Sequence, residues 1–120
     1  MFEEELYLIW VDIETTGLNP SEDKILEICC VITDKNLNIK ASSKNLVINT
    51  NICHMNEWCL KIHTKNGLVE DVLQSSLEIN DVETELLKFL QSWSDYKTSP
   101  MCGSSVHFDR SFLKVHMPRI

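Results

Sequence analysis

The chain has 120 residues, of which 43% are hydrophobic and 24% charged, as in an ordinary globular domain. It is long enough for one hydrophobic core but not for two, so we expect a single domain over residues 1–120. Three glycines and three prolines are too few for a disordered chain. The longest apolar run, Leu6 to Val11, is too short to span a bilayer, so we expect no membrane partner.

The charge balance is acidic, with 18 acids against 11 bases and a net charge of −7. Such a surface repels phosphates, which argues against a protein that binds long duplexes through a basic patch. Metal ions bound by carboxylates can make the local electrostatic potential positive, so the acidic charge does not argue against a metal-dependent nuclease.

Five cysteines, an odd number without a CxxC pair, indicate reduced thiols. The first residues, MFEEE, lack the positive charge of a secretory signal. We therefore expect a cytoplasmic location, with mitochondrial or nuclear locations as alternatives.

The first half of the chain has the pattern of strands. Apolar runs predict strands over residues 6–11 and 25–33, and a third strand over about 37–48 with an interruption at Ser42 and Ser43. Asp34-Lys35-Asn36 predicts a tight turn, so the three strands form an antiparallel meander.

The second half has the pattern of helices. We expect helices over residues 55–63, 68–73, 81–94 and 109–116, and a short strand at about 100–103. The third helix carries an apolar stripe at helical spacing, and Asn80 with Glu83 form its predicted cap; the stripe is Val82, Leu86, Phe89, Leu90 and Trp93. Phe108, Phe112 and Val115 form the predicted stripe of the last helix. The order β-β-β-α-α-α-β-α predicts one α/β or α+β domain.

Asp12 and Glu14 follow the first predicted strand. Side chains two residues apart on a strand share a face, so the two carboxylates point the same way. Adjacent carboxylates repel each other unless a cation or a proton lies between them, and Mg²⁺ or Mn²⁺ prefers oxygen ligands. On spacing alone, two solvated acids at a strand end remain the favoured interpretation.

The longer string Asp12-Ile13-Glu14-Thr15-Thr16-Gly17-Leu18 resembles the first motif of the DEDD superfamily of 3′→5′ exonucleases. The segment from Ser104 to Leu113, SSVHFDRSFL, resembles the second motif, and the strings LIWVD at 8–12 and ITDKNLNI at 32–39 are similar to the oligoribonuclease branch. The resemblance implies a ribonuclease H-like fold, a mixed sheet of three antiparallel strands and one parallel strand flanked by helices. It also implies two-metal hydrolysis of short single-stranded RNA, down to dinucleotides, with Mg²⁺ or Mn²⁺.

The resemblance further assigns roles to individual residues. Asp12, Glu14 and Asp109 are the implied catalytic metal ligands. Leu18, Trp58, His63 and Ser105 are the implied contacts to two nucleotides. For Leu18 and Trp58 a place in the core is the alternative interpretation, and for His63 it is an ordinary surface position.

The chain departs from the family pattern in two ways. Thr15 is more typical of DNA proofreading-type exonucleases. The family's fifth strand, general-base histidine and fourth aspartate would all follow Ile120, so we expect an incomplete exonuclease domain with an exposed edge strand near 100–103 and a weakened family homodimer. A catalytically impaired fragment that binds nucleotides or dimerises is therefore the alternative function. His107 and His116 are poor substitutes for the base, because the family's histidine comes from another segment.

Overall fold

The structure, a computed structural model, describes residues 7–52, 55, 57–93, 101–102, 106–118 and 120. These residues form five strands and four helices, in the order β1 (Tyr7–Thr15), β2 (Ile25–Asp34), β3 (Ile39–Ser42), β4 (Leu46–Val47), α1 (Glu57–Lys65), α2 (Leu68–Gln74), α3 (Ile79–Gln91), β5 (Met101–Cys102) and α4 (Val106–His116). None of the helices in these ranges is long and apolar enough to cross a membrane.

The strands form one mixed sheet in the order β3-β2-β1-β5, and β4 also pairs with β2. The pairs β1–β2 and β2–β3 are antiparallel, whereas β5 runs parallel to β1 with Ile9 opposite Met101. Both the predicted meander and the predicted parallel strand are confirmed. Among the described strands β5 pairs only with β1, so it lies at an edge, as predicted.

The third predicted strand is interrupted where the sequence indicated. Residues 43–45 separate β3 from β4, and both strands pair with β2. The Ser43 hydroxyl accepts a hydrogen bond from the Cys30 amide at 2.9 Å, and the Ser43 amide donates to the Cys30 carbonyl at 2.8 Å. Ser43 thus pairs with both the amide and the carbonyl of Cys30. The strand pairing is irregular at this point, but the backbone groups of Cys30 keep their hydrogen bonds.

The predicted turn after β2 is also confirmed, and Asp34 organises it. Its carboxylate accepts hydrogen bonds from the amides of Asn36 and Asn38 and from the Asn38 side chain. These bonds favour the charged form and lower the pKa of Asp34, with the Asn38 side chain as the largest cause.

The helices cover the sheet through two apolar clusters. In the larger cluster α3 and α4 pack on the inner face of β1 and β2; its buried members include Val11, Ile13, Ile28, Val82, Leu86, Phe112, Leu113 and Met117. The smaller cluster joins α1 and α2 to the start of β2, through Leu26, Met55, Cys59, Leu68 and Val72. The helices thus fix both sides of the end of β1, where the acids lie.

The first strand differs from the prediction in length. It extends through Thr15, because backbone pairing with β2 continues past the two acids. Val11, Ile13 and Thr15 are buried, whereas Asp12 and Glu14 are exposed. The strand therefore lies in the middle of the sheet, and its second half has one buried face and one exposed face that carries the two acids.

The helix boundaries differ by a few residues. The predicted cap of α3 is wrong: the cap is Glu78, whose amide donates to the Asp81 carboxylate at 3.0 Å, because Ile79 is already helical and packs on the core. Helix α4 begins at Val106, so Asp109 lies inside its first turn. Val115 is 53% exposed, and Leu113 is buried in its place. Leu6, Pro100 and Gly103, at the predicted strand ends, lie outside the described residues.

Candidate active site

Asp12 and Glu14 project from one face of β1, as the alternation of the strand predicts. Burial raises the pKa of Glu14 above its ordinary value, His63 lowers it by its opposite charge, and the neighbouring Asp12 raises it. The charge of Asp12 therefore acts on the Glu14 carboxylate, which shows that the two acids lie near each other.

Asp109 brings a third carboxylate to this site from α4. Its residue surface is only 6% exposed, and Phe112 and Leu113 anchor the same helix in the core. Burial is the largest cause that raises the pKa of Asp109 to about 6, and the charges of Asp12 and Glu14 contribute the rest of this rise. The charges of Asp12 and Glu14 thus act on Asp109, while the catalytic role of the three acids stays a prediction.

Glu27 is a fourth acid on this face, and sequence reasoning missed it. It lies directly opposite Glu14 in the β1–β2 ladder. Burial raises the pKa of Glu27 first, and Glu14, Asp71 and Asp12 add repulsion. The hairpin register would have revealed it, since like charges at opposed positions are unfavourable without a cation.

A β-bulge lies next to the acids. The register shifts after Glu14, so that Glu27 opposes Glu14 but Ile25 opposes Thr15. The extra residue is Leu26, which is fully buried in the cluster with α1 and α2. The bulge bends the end of the ladder and directs the chain after Thr15 away from the sheet.

The loop that follows β1 presents Leu18, which is 76% exposed. The Thr16 amide pairs with the Lys24 carbonyl at 3.0 Å and closes the loop. Asp23 lies inside it, accepting from the Thr16 hydroxyl and from the Asn19 amide, each at 2.9 Å. A Cβ on Gly17 would lie 2.5 Å from the Asp23 carboxylate, so a larger residue here would have to displace the Asp23 side chain.

Helix α1 presents Trp58 and His63 on different sides. The helix is unbroken from Glu57 to Lys65, and five residues correspond to about 140° of rotation. Trp58 is 69% exposed, whereas His63 is 5% exposed and hydrogen-bonded to the Thr15 carbonyl at 2.8 Å. The surface interpretation of His63 and the core interpretation of Trp58 are both wrong, because α1 packs with its histidine side toward β1.

The two remaining histidines lie on α4. His116 donates from Nε2 to the Pro20 carbonyl at 2.8 Å, and its ring stacks on Phe112 at a centroid distance of 5.8 Å. This histidine therefore supports the Leu18 loop rather than facing the acids. His107 is exposed, two residues before Asp109. Ser105 lies outside the described residues, so its predicted role stays a prediction.

The donor types at the site suit a hard divalent cation. Carboxylates are the preferred ligands of such ions, and the mutual repulsion among these acids is unfavourable until a cation offsets it. Among the described residues, no group of three or more histidine, cysteine, aspartate or glutamate side chains is placed so that it could hold a metal ion. In ligand type alone, therefore, these acids fit a hard divalent cation.

Comparison with known proteins now defines the class. A family profile described as "Exonuclease" matches residues 9–120, so the chain belongs to the exonuclease family. Its similarity is strong to the oligoribonuclease of Haemophilus ducreyi, at 48% identity over 115 residues, and to that of Pasteurella multocida, at 45% over 116. These matches cover 93% and 94% of this chain, but the chain spans only about 63% of the length of either relative.

Solved structures confirm the ribonuclease H-like exonuclease fold. Exonuclease I from Methylocaldum szegediense superposes with a TM-score of 0.69 at 18% identity, over 91% of this chain and 22% of that one. A zinc-bound complex of E. coli ExoI with single-stranded DNA gives a TM-score of 0.64 at 16% identity, over 91% and 23%. At these identities the likeness concerns the fold.

Proposed function

We propose that the chain carries the active site of a 3′→5′ exoribonuclease of the oligoribonuclease type, which hydrolyses dinucleotides and other short RNAs. The observation that carries the proposal is the cluster of Asp12, Glu14 and Asp109, in which two exposed acids raise the pKa of a buried third one. The curated relatives at 42–48% identity are all named oligoribonucleases, which supports the short-RNA substrate.

Asp12, Glu14 and Asp109 would hold divalent cations, and we propose Mg²⁺ or Mn²⁺ because all three ligands are carboxylates. When bound, such ions activate a water molecule and offset the charge that develops on the phosphodiester. The fixed backbone of β1 and the packed α4 supply the geometry. The zinc-bound state of the E. coli neighbour is consistent with a divalent ion in this fold.

The exposed apolar side chains suit the nucleotide bases. Leu18 projects from a hydrogen-bonded loop beside the acids, and Trp58 offers an exposed aromatic ring on α1. A base stacked on tryptophan gains roughly 1–3 kcal/mol. A dinucleotide offers few phosphates, so the acidic surface does not exclude this substrate.

The decisive experiment incubates the chain and its Asp12→Ala variant with a labelled diribonucleotide and Mn²⁺. We expect cleavage by the chain and a loss of at least about 100-fold in the variant, because a metal ligand contributes several kcal/mol of charge stabilisation. Glu85→Gln is the matched control, since Glu85 is an exposed acid on α3.

Each other outcome rejects the proposal in a different way. If the chain cleaves the dinucleotide no faster than Asp12→Ala does, the proposal that this chain is catalytic is rejected. If the dinucleotide still binds in that case, the alternative of a catalytically impaired nucleotide-binding fragment is supported instead. Preference for long single-stranded DNA over the diribonucleotide would favour the proofreading-type alternative suggested by Thr15.

We further propose that one exonuclease domain occupies the whole chain and that the protein acts in the cytoplasm. The family match over residues 9–120 supports the first proposal. The free thiols of Cys29, Cys30 and Cys102 support a reducing compartment, which the cytoplasm, nucleus and mitochondrial interior provide. Fluorescence microscopy of a tagged chain separates these locations.

A further inference from the structure

We propose that His63 is a positioning residue, which fixes the end of β1 and thereby the placement of the Glu14 carboxylate. The inference rests on the proposed function, because it concerns the same acidic site. It replaces the role of nucleotide contact that the family resemblance implies for His63.

The contact geometry shows how His63 is held. A carbonyl oxygen only accepts hydrogen bonds, so the 2.8 Å contact with Thr15 requires that Nε2 of His63 carries the hydrogen. This fixes the ring orientation, and Nδ1 then lies 4.0 Å from Oε2 of Glu14. One imidazole ring thus hydrogen-bonds to Thr15 and lies near the carboxylate of the preceding residue, Glu14.

The position along β1 gives this contact its importance. Thr15 lies immediately after the bulge, where the register of the ladder shifts. Strand pairing is least able to define the peptide plane at such a point, and a donor from another element supplies the missing constraint. Glu14 precedes that peptide directly, so its direction depends on the same constraint.

Burial argues against a direct role in binding the nucleotide. Only 5% of His63 is exposed, and the residue one turn earlier on its face, Cys59, belongs to the buried cluster with Leu26 and Met55. The ring therefore presents almost no surface to a ligand. Its helix α1 is packed in the core through Cys59 of the same buried cluster.

The test compares His63→Leu with His63→Gln in the 120-residue chain. Leucine fills similar space without a donor, whereas the glutamine amide can still donate to the Thr15 carbonyl. Thr64→Ala is the control, an exposed neighbour on the same helix. Two quantities are measured without nucleotide: the Kd for Mn²⁺ by electron paramagnetic resonance, and hydrogen exchange at the Thr16 and Gly17 amides.

We expect His63→Leu to weaken Mn²⁺ binding by about tenfold or more, the usual effect of losing a group that orients a metal ligand. Exchange at Thr16 and Gly17 should accelerate in the same variant. His63→Gln should restore both values to within about threefold of the parent chain, since its donor is retained. Thr64→Ala should leave both unchanged.

Other results overturn the inference and leave the proposed function distinguishable. If His63→Leu keeps the parent Kd and exchange rates but raises KM for the dinucleotide, His63 contacts the substrate instead. If it lowers Tm alone, it is only a core residue. If the parent chain binds no Mn²⁺, the metal step of the proposed function fails, and unchanged exchange in His63→Leu would separately reject the positioning role.

Discussion

Asp109 is the residue of this site whose ionisation is most unfavourable in the folded state. Its carboxyl group is buried on α4 beside two other acids, and its pKa is raised to about 6 from an ordinary value of 3.8. The folded state therefore binds the proton more tightly than the unfolded state. Its ionisation opposes folding above pH 6, and this penalty disappears as the pH falls from 6 through 3.8.

We expect Asp109→Asn to be more stable than the parent chain in metal-free buffer at about pH 7.5, by at least about 3 °C in Tm. The advantage should shrink toward zero at about pH 4, where the parent carboxyl is protonated in the folded state. Thermal denaturation in EDTA across this range measures it, with Glu85→Gln as the control. A constant difference at every pH would show that charge repulsion is not its cause.

Trp58 allows a second prediction at the level of one side chain. Because its ring is exposed on α1 and offers a stacking surface, Trp58→Ala should raise KM for the diribonucleotide by about 5-fold to 100-fold, with kcat changed far less. Trp58→Phe should recover part of the loss, and Leu60→Ala, at another exposed apolar position on α1, should cost little. Steady-state kinetics with varied substrate decides, and an unchanged KM would remove Trp58 from the binding surface.

Among the elements, the loop between β1 and β2 deserves the closest test because it carries Leu18. Both carboxylate oxygens of Asp23 accept hydrogen bonds, one from Thr16 and one from Asn19. Asp23→Asn keeps only one acceptor, because the amide nitrogen cannot accept a bond from the Asn19 amide.

We therefore expect Asp23→Asn to raise KM for the diribonucleotide by about 3-fold to 10-fold, the equivalent of one lost hydrogen bond. The value of kcat should stay within about twofold, since the acids on β1 and α4 are untouched. Glu22→Gln, an exposed neighbour in the same loop, is the matched control. Equal kinetics for the two variants would show that the order of the loop does not matter for binding.

The elements also show what the sequence could predict. Sequence patterns located the strands and helices of the described residues, with β3 and β4 predicted as one interrupted strand, and Asp12 and Glu14 were recognisable from their motif. The boundaries were less accurate, since backbone pairing carries β1 through two charged residues and core packing begins α3 before its expected cap. Glu27 and the burial of His63 depend on a bulge and on how α1 packs, neither of which local sequence determines.

For the molecule as a whole, the acidic charge of −7 makes salt a useful probe. An enzyme that follows a long strand releases many counterions and loses affinity steeply as salt rises, whereas a dinucleotide neutralises about one phosphate. We expect KM for the diribonucleotide to rise less than about fivefold between 50 and 300 mM NaCl, at fixed Mn²⁺, as a slope near −0.7 requires. A loss of about 100-fold or more would indicate a phosphate-binding track that the net charge does not suggest.

The hydrogen bond between His116 and the Pro20 carbonyl joins residues 96 positions apart in the chain. It connects the end of the helix that carries Asp109 to the loop that carries Leu18, and the loop is closed on its other side by the Thr16–Lys24 pair. The loop from Gly17 to Asp23 is therefore fixed at its two ends by the Thr16–Lys24 pair and in its middle by His116. These three attachments constrain the number of residues that the loop can contain. An inserted residue here would displace either α4 or the exposed Leu18. Insertions and deletions in this family should accordingly avoid this loop.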